Sequence, residues 1–181
     1  GDVLQGQPIV TYYNYVKTDA ENIAASVNNF MRYDVQTMGN HDVETGHKVY
    51  DKWVKELRCP TLGANIVSTA TDTPYLKPYT IFKRDGVKIA VIGLITPGVP
   101  SWLSEELWSG LRFEDAVKTA RKWMDEVKKK EHPDVVVGLF HTGINDSNKT
   151  NGLLNDATRE IARQVPGFDV IFYGHDHSTH Y

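Results

Sequence analysis

Three short apolar runs in this chain each lead directly into a histidine. Val135-Val136-Val137-Gly138-Leu139-Phe140 runs into His141, and Val170-Ile171-Phe172-Tyr173 runs into Gly174-His175-Asp176-His177. The shorter Val35-Gln36-Thr37-Met38 runs into Gly39-Asn40-His41-Asp42. Runs of this length, rich in β-branched and aromatic residues and bounded by Gly or Pro, have strand character. The first two are continuously apolar, which predicts a sheet covered on both faces. Helical segments separate them, so the order of elements predicts an α/β layered fold, β-sheets flanked by helices. In such sheets ligands bind beyond the carboxyl ends of the strands. The histidines therefore gather at one edge of the sheet and mark a site.

The remaining periodicity fits that frame. Ala20, Ile23, Ala24, Val27, Phe30 and Met31 recur with helical spacing behind a capping box of Thr18 and Glu21. A second helix is expected over residues 48–57 and a strand over residues 62–67. Asp85-Gly86 separates residues 80–83 from 88–94 as the tight primed turn of a hairpin. The clearest helix covers residues 113–128, with Phe113, Ala116, Val117, Ala120, Trp123, Met124 and Val127 on one face. A shorter one carries Ala157, Ile161, Ala162 and Val165 and is stopped by Pro166-Gly167.

Composition narrows the function classes. With 181 residues, 40% of them hydrophobic, the chain can bury one substantial core. The net charge is -3 and the charges are scattered, so no footprint for nucleic acid is visible. Lys128-Lys129-Lys130 falls where a helix should end, and cations there oppose the negative end of its dipole. Cys59 is the only cysteine, which excludes an internal disulfide and a CxxC metal pair. The longest apolar stretch, Ile89 to Ile95, is too short to span a bilayer.

Of the seven histidines, His47 and His132 lie beside helix ends and His180 at the terminus, and these read as surface or structural groups. His41, His141, His175 and His177 follow strands. Imidazole combined with carboxylate or amide oxygen suits first-row metals such as Mn, Fe, Co, Ni and Zn. His175 and His177 are one residue apart on a glycine-led turn, so their rings can reach two different ions. Asp2 offers the carboxylate that a pair of cations needs as a bridge. Two ions roughly 3.5–4 Å apart clamp a phosphoryl group and stabilise an in-line displacement.

Gly1-Asp2, Gly39-Asn40-His41-Asp42, His141 and Gly174-His175-Asp176-His177 resemble, in order, the last four of five signature blocks of the calcineurin-like metallophosphoesterases: D-x-H, GD, GNH[D/E], H and GHxH. The opening Gly1-Asp2-Val3-Leu4-Gln5-Gly6-Gln7-Pro8 is similar to the branch of 5'-nucleotidases and 2',3'-cyclic-nucleotide phosphodiesterases. The resemblance covers essentially the whole chain. It implies metal-dependent hydrolysis of small-molecule phosphoesters, nucleotides first among them, through two divalent transition-metal ions. Another phosphoesterase of the superfamily, a protein phosphatase for instance, and a non-catalytic degenerate domain are the alternatives.

Residue by residue, the resemblance implies that Asp2 bridges both metals. Asn40, His141 and His175 complete one site, and His177 belongs to the other. His41 faces the phosphate and assists departure of the leaving group. Glu44, three residues later, orients His41 or else is a solvated loop carboxylate. Asp42 and Asp176 support the site without binding metal. The D-x-H block is not in this sequence, and the family's domain extends past GHxH. The expectation is a catalytic-core fragment of a longer, exported protein, with the ligand set of the second metal incomplete.

Overall fold

The computed structural model describes residues 1–145 and 148–179. The hairpin forms as the sequence dictates. Tyr79–Arg84 pairs antiparallel with Val87–Ile95, and Asp85 and Gly86 take φ of 48° and 85° across the turn. Both values are left-handed, as a two-residue primed turn requires and as Asp-Gly readily allows.

Val87–Ile95 next pairs in parallel with Val135–His141, and that strand pairs in parallel with Val170–Tyr173. Because these three strands run the same way, Ile95, His141 and the Gly174-His175 turn arrive at one edge. A second layer carries the parallel pair Gln36–Thr37 and Thr61–Leu62. Thr37 Oγ1 donates to Leu62 O at 3.1 Å and lies 3.4 Å from Leu94 O, tying this layer to the sheet. The carboxyl end of Gln36–Thr37 thereby reaches the same edge and delivers Asn40 and His41.

Two cores form on either side. Ala116–Glu131 packs Ala120, Met124 and Val127 over Ile92, Leu94, Val136 and Phe140, joined by Ile161 from Thr158–Gln164. The other core gathers Tyr50 and Trp53 of His47–Glu56 with Leu4, Met38, Val43, Ile66 and Ile95. Lys128, Lys129 and Lys130 do occupy the last turn of their helix, and His132 closes it in a left-handed conformation.

Several local expectations need correction. The helix expected from residue 113 begins at Ala116, because Asp115 caps it by accepting from Lys118 N at 2.9 Å. Phe113 belongs instead to the strand Leu111–Phe113, opposite Ile66. The single strand expected over residues 62–67 divides into Thr61–Leu62 and Ile66–Ser68, in different sheets. Buried Asn65 sits at the break, and its side chain exchanges two hydrogen bonds with the Ile95 backbone, both 2.8–2.9 Å, in place of a ladder.

The helix expected behind Thr18 is Ile23–Phe30, capped by the Asn22 side chain and not by Thr18; Pro8–Tyr15 forms a helix before it. Asn22 N in turn donates to Glu56 at 2.7 Å, and Asn29 donates to the Glu56 carbonyl. These polar anchors turn Ala24, Ala25 and Asn28 inward and leave Val27, Phe30 and Met31 exposed. Of the residues with helical spacing, Ala24 is buried and Ile23 half-buried, so the buried face is rotated from the one the spacing suggests.

Apolar continuity also overstated the cover of the sheet. Both faces are buried along Ala90–Ile95, but Val135–His141 alternates between buried and half-buried positions. Val170–Tyr173 has a paired neighbour on one side only among the described residues, and Val170, Phe172 and Tyr173 are exposed. Val136 is 3% exposed and Val170 is 44% exposed, so truncating them should differ. Val136→Ala is expected to cost about 1–3 kcal/mol, and Val170→Ala within about 0.5 kcal/mol. Urea titrations of the two variants check this, and equal midpoints would contradict the packing.

Candidate active site

Asp42 organises the site. Its carboxylate accepts from Asp2 N, Val3 N and Gly39 N at 2.8 Å and from Leu4 N at 3.0 Å. Four backbone amides on one fully buried carboxylate bind the opening segment to the Gly39 turn. The two backbones come so close that a Cβ on Gly39 would lie 2.2 Å from Asp2 Oδ1. That contact is why glycine precedes Asn40. Asp2 is held at φ 63°, and its Oδ1 accepts from His41 N at 2.9 Å.

His141 enters from the end of its strand. Its Nε2 lies 2.9 Å from Asp2 Oδ2 and 3.1 Å from Asn40 Oδ1. One ring nitrogen carries at most one proton, so the two oxygens would have to share it. His175 and His177 follow on a turn where both take left-handed φ, 97° and 50°. Non-glycine residues in that region are strained by about 1–3 kcal/mol, and such strain concentrates at functional sites. The His175 ring lies edge-on to His141, centroids 5.2 Å apart, and Trp102 stacks on it at 5.5 Å.

Donor atoms of Asp2, His141 and His175 fall within 4.8 Å of one another, and so do those of Asp2, His41 and His177. Asp2 is common to both groups. His41 Nδ1 is 2.6 Å from Glu44 Oε2. A cleft of about 320 Å³ opens over Asp2, His141, His175 and His177.

Electrostatics suit cations. Burial works to raise the Asp2 pKa, but the adjacent His141 and His41 more than offset it, so the carboxyl titrates below its ordinary value. Burial, and then His141, hold His175 below the ordinary imidazole range, although Asp156 and Asp2 pull the other way. An ionised carboxylate beside a neutral imidazole is the state in which both can ligate.

A family model described as calcineurin-like phosphoesterase matches residues 1–179. The chain belongs to the calcineurin-like phosphoesterases. It is 34% identical over 188 residues to the 2',3'-cyclic-nucleotide 2'-phosphodiesterase/3'-nucleotidase of Haemophilus influenzae, covering 98% of this chain and 28% of that protein. It superposes on the calcineurin-like phosphoesterase YfkN of Bacillus subtilis with a TM-score of 0.87 at 29% identity, over 98% of this chain and 57% of that one. A putative 5'-nucleotidase from Staphylococcus aureus gives 0.84 at 25% identity, over 98% and 35%. The chain thus spans a little over a quarter of the curated relative and just over half of the first solved structure.

Calcineurin-like phosphoesterases use divalent metals, and the donors here fit them. Two acceptor oxygens crowd one ring nitrogen at Asp2, Asn40 and His141. His175 Nδ1 is buried with no hydrogen-bond partner among the described residues. Polar atoms buried in that way are costly unless something binds them.

All of the residues named from the sequence meet at this edge except those set aside. His47 contacts Asp51 and the Ser109 carbonyl, His132 ends a helix, and His180 lies outside the described residues. Two participants were missed. Asp156 carries no sequence signal beyond that of an ordinary residue before a helix, and Trp102 ends the short helix Val99–Trp102, which carries no motif. Among the described residues no helix is long and apolar enough to cross a membrane.

Proposed function

We propose that this chain carries the metal centre of a phosphoester hydrolase whose substrates are nucleotides, either 5'-monophosphates or 2',3'-cyclic phosphates. The observation behind this reading is the sharing of Asp2 between two donor groups at the carboxyl edge of the sheet. Two divalent cations, when bound there, supply the charge that polarises a phosphoryl group. Asp2 would serve both ions, Asn40, His141 and His175 would hold one, and His177 would hold the other. His41 acts on the substrate. Glu44 accepts from its Nδ1, which leaves Nε2 as the atom that passes a proton to the departing oxygen. The cleft of about 320 Å³ admits a phosphoryl group and part of its ester. The names of the Haemophilus and Staphylococcus relatives support nucleotides as the class.

The test strips the protein with a chelator, reloads it with Mn²⁺, Co²⁺ or Zn²⁺, and follows phosphate release from AMP, 2',3'-cyclic AMP and a phosphopeptide. Hydrolysis should vanish on stripping, return on reloading, and favour the nucleotides. Undiminished activity in the stripped protein would remove the metal centre from the reading. A preference for the phosphopeptide would remove the nucleotide.

A further inference from the structure

An imidazole can bind a metal through either ring nitrogen, and the hydrogen bond made by the other nitrogen decides which. The two nitrogens of His175 have different surroundings. Nδ1 is buried and has no hydrogen-bond partner among the described residues. Nε2 lies 3.8 Å from Asp156 Oδ1. That separation exceeds a hydrogen bond, but it sets a carboxylate on the Nε2 side of the ring.

Asp156 is only 6% exposed, and it is held firmly. Its Oδ1 accepts from Gly143 N at 3.0 Å. The adjoining backbone is pinned by Thr142, whose Oγ1 donates to Asn155 O at 2.8 Å and accepts from Ala157 N at 2.7 Å. Thr158 Oγ1 donates to Thr142 O at 2.6 Å. Thr142 directly follows His141, so the carboxylate is tied to the strand end that carries another member of the cluster. Gly143 has no room for a side chain, since a Cβ would lie 2.5 Å from Asp156 Oδ1. A carboxylate buried this far needs donors or a cation, and among the described residues a single backbone amide is a thin supply. Trp102 stacks on the face of the His175 ring, interplanar angle 28°, and this limits tipping without distinguishing the nitrogens.

We propose that Asp156 is a positioning residue that draws the Nε2–H of His175 and so makes Nδ1 the nitrogen offered to the ion held with Asp2, Asn40 and His141. The inference rests on reading that cluster as a metal site. Asp156 then acts on the metal through His175, without touching substrate.

The first measurement is ¹⁵N NMR of the histidine rings in metal-free protein, with the His175 signal identified by its loss in His175→Gln. The expected result is the Nε2–H tautomer, and an Nδ1–H tautomer overturns the proposal. The second is calorimetric titration with Mn²⁺ and Co²⁺. Asp156→Ala should weaken the tighter site roughly 10–100-fold. Asp156→Asn keeps an oxygen acceptor for both Gly143 N–H and Nε2–H, and should stay within a few-fold of wild type. Thr158→Val loosens the same loop without altering the carboxylate, and should lower Tm while the affinity holds. Equal affinity in Asp156→Ala and wild type overturns the proposal, as does an equal loss in Thr158→Val. Should Asp156→Ala fail to fold, the wild-type tautomer and the Asn variant still decide. A wild-type protein that binds neither ion refutes the metal reading, and the tautomer then tests Asp156 separately.

Discussion

His141→Ala is expected to remove one divalent ion from the protein and to bring phosphoester hydrolysis to background on every substrate. The side chain is 8% exposed, with Asp2 Oδ2 and Asn40 Oδ1 both within 3.1 Å of Nε2. Its backbone is secured independently, in register with Ile95 and through Thr96 N to His141 O at 2.7 Å. Alanine therefore keeps the strand and deletes the donor. What remains is two oxygens and the His175 ring for an ion that prefers at least four ligands. The loss of affinity should exceed the roughly 10–100-fold that follows from disturbing an outer partner of a ligand. In the proposed site Asp2, Asn40, His141 and His175 serve one ion, and among the described residues Asp2 and His177 serve the other, with a His41 donor atom in the same group. Dialysed wild type should thus retain about one tightly held ion per chain, and the variant none. Elemental analysis and phosphate release on the same samples check both halves. Full metal content in the variant would remove His141 from the ligand set, and two stoichiometric ions in dialysed wild type would refute the ligand count.

The site was readable ahead of the structure because its signals are local. A strand that ends in Gly-His or Gly-Asn-His states in sequence where its side chains emerge, and parallel strands carry those ends to one edge. The Asp85-Gly86 hairpin was equally local, since the backbone conformation it needs restricts the residues that can provide it. What escaped depends on distant partners. Asn22 rather than Thr18 caps Ile23–Phe30 because Glu56, 34 residues away, receives its N–H. Asn65 breaks a strand because it satisfies Ile95, 30 residues on. Val170–Tyr173 has the composition of a buried strand, but composition does not reveal how much of it is covered. Asp156 is invisible for the same reason, because its relation to His175 comes from how the strand Val135–His141 and the turn at Gly174 meet.

His41→Ala separates two kinds of work within one four-residue turn. Asn40 and His41 are adjacent, and Asn40 Oδ1 points at His141 while the His41 ring reaches Glu44. The His41 donor atom also falls within 4.8 Å of those of Asp2 and His177, so geometry permits it either to bind an ion or to act on the substrate. The proposed role is the second. With Nδ1–H held by Glu44, the ring is fixed in orientation, and an imidazole can exchange a proton near neutral pH with a developing alkoxide. Removing it should lower turnover roughly 10²–10⁴-fold, the usual range for losing a general acid, while metal content stays at the wild-type level. Aryl phosphates, whose leaving groups need less protonation, should lose less than nucleoside monophosphates. Glu44→Gln should fall between the variant and wild type, since the amide oxygen still accepts from Nδ1–H but the hydrogen bond is no longer charge-assisted. Turnover on both substrate classes, measured beside elemental analysis, distinguishes the alternatives. Metal loss in His41→Ala matching that in His141→Ala would make His41 a ligand, and an equal rate loss on aryl and nucleoside phosphates would take proton delivery out of its role.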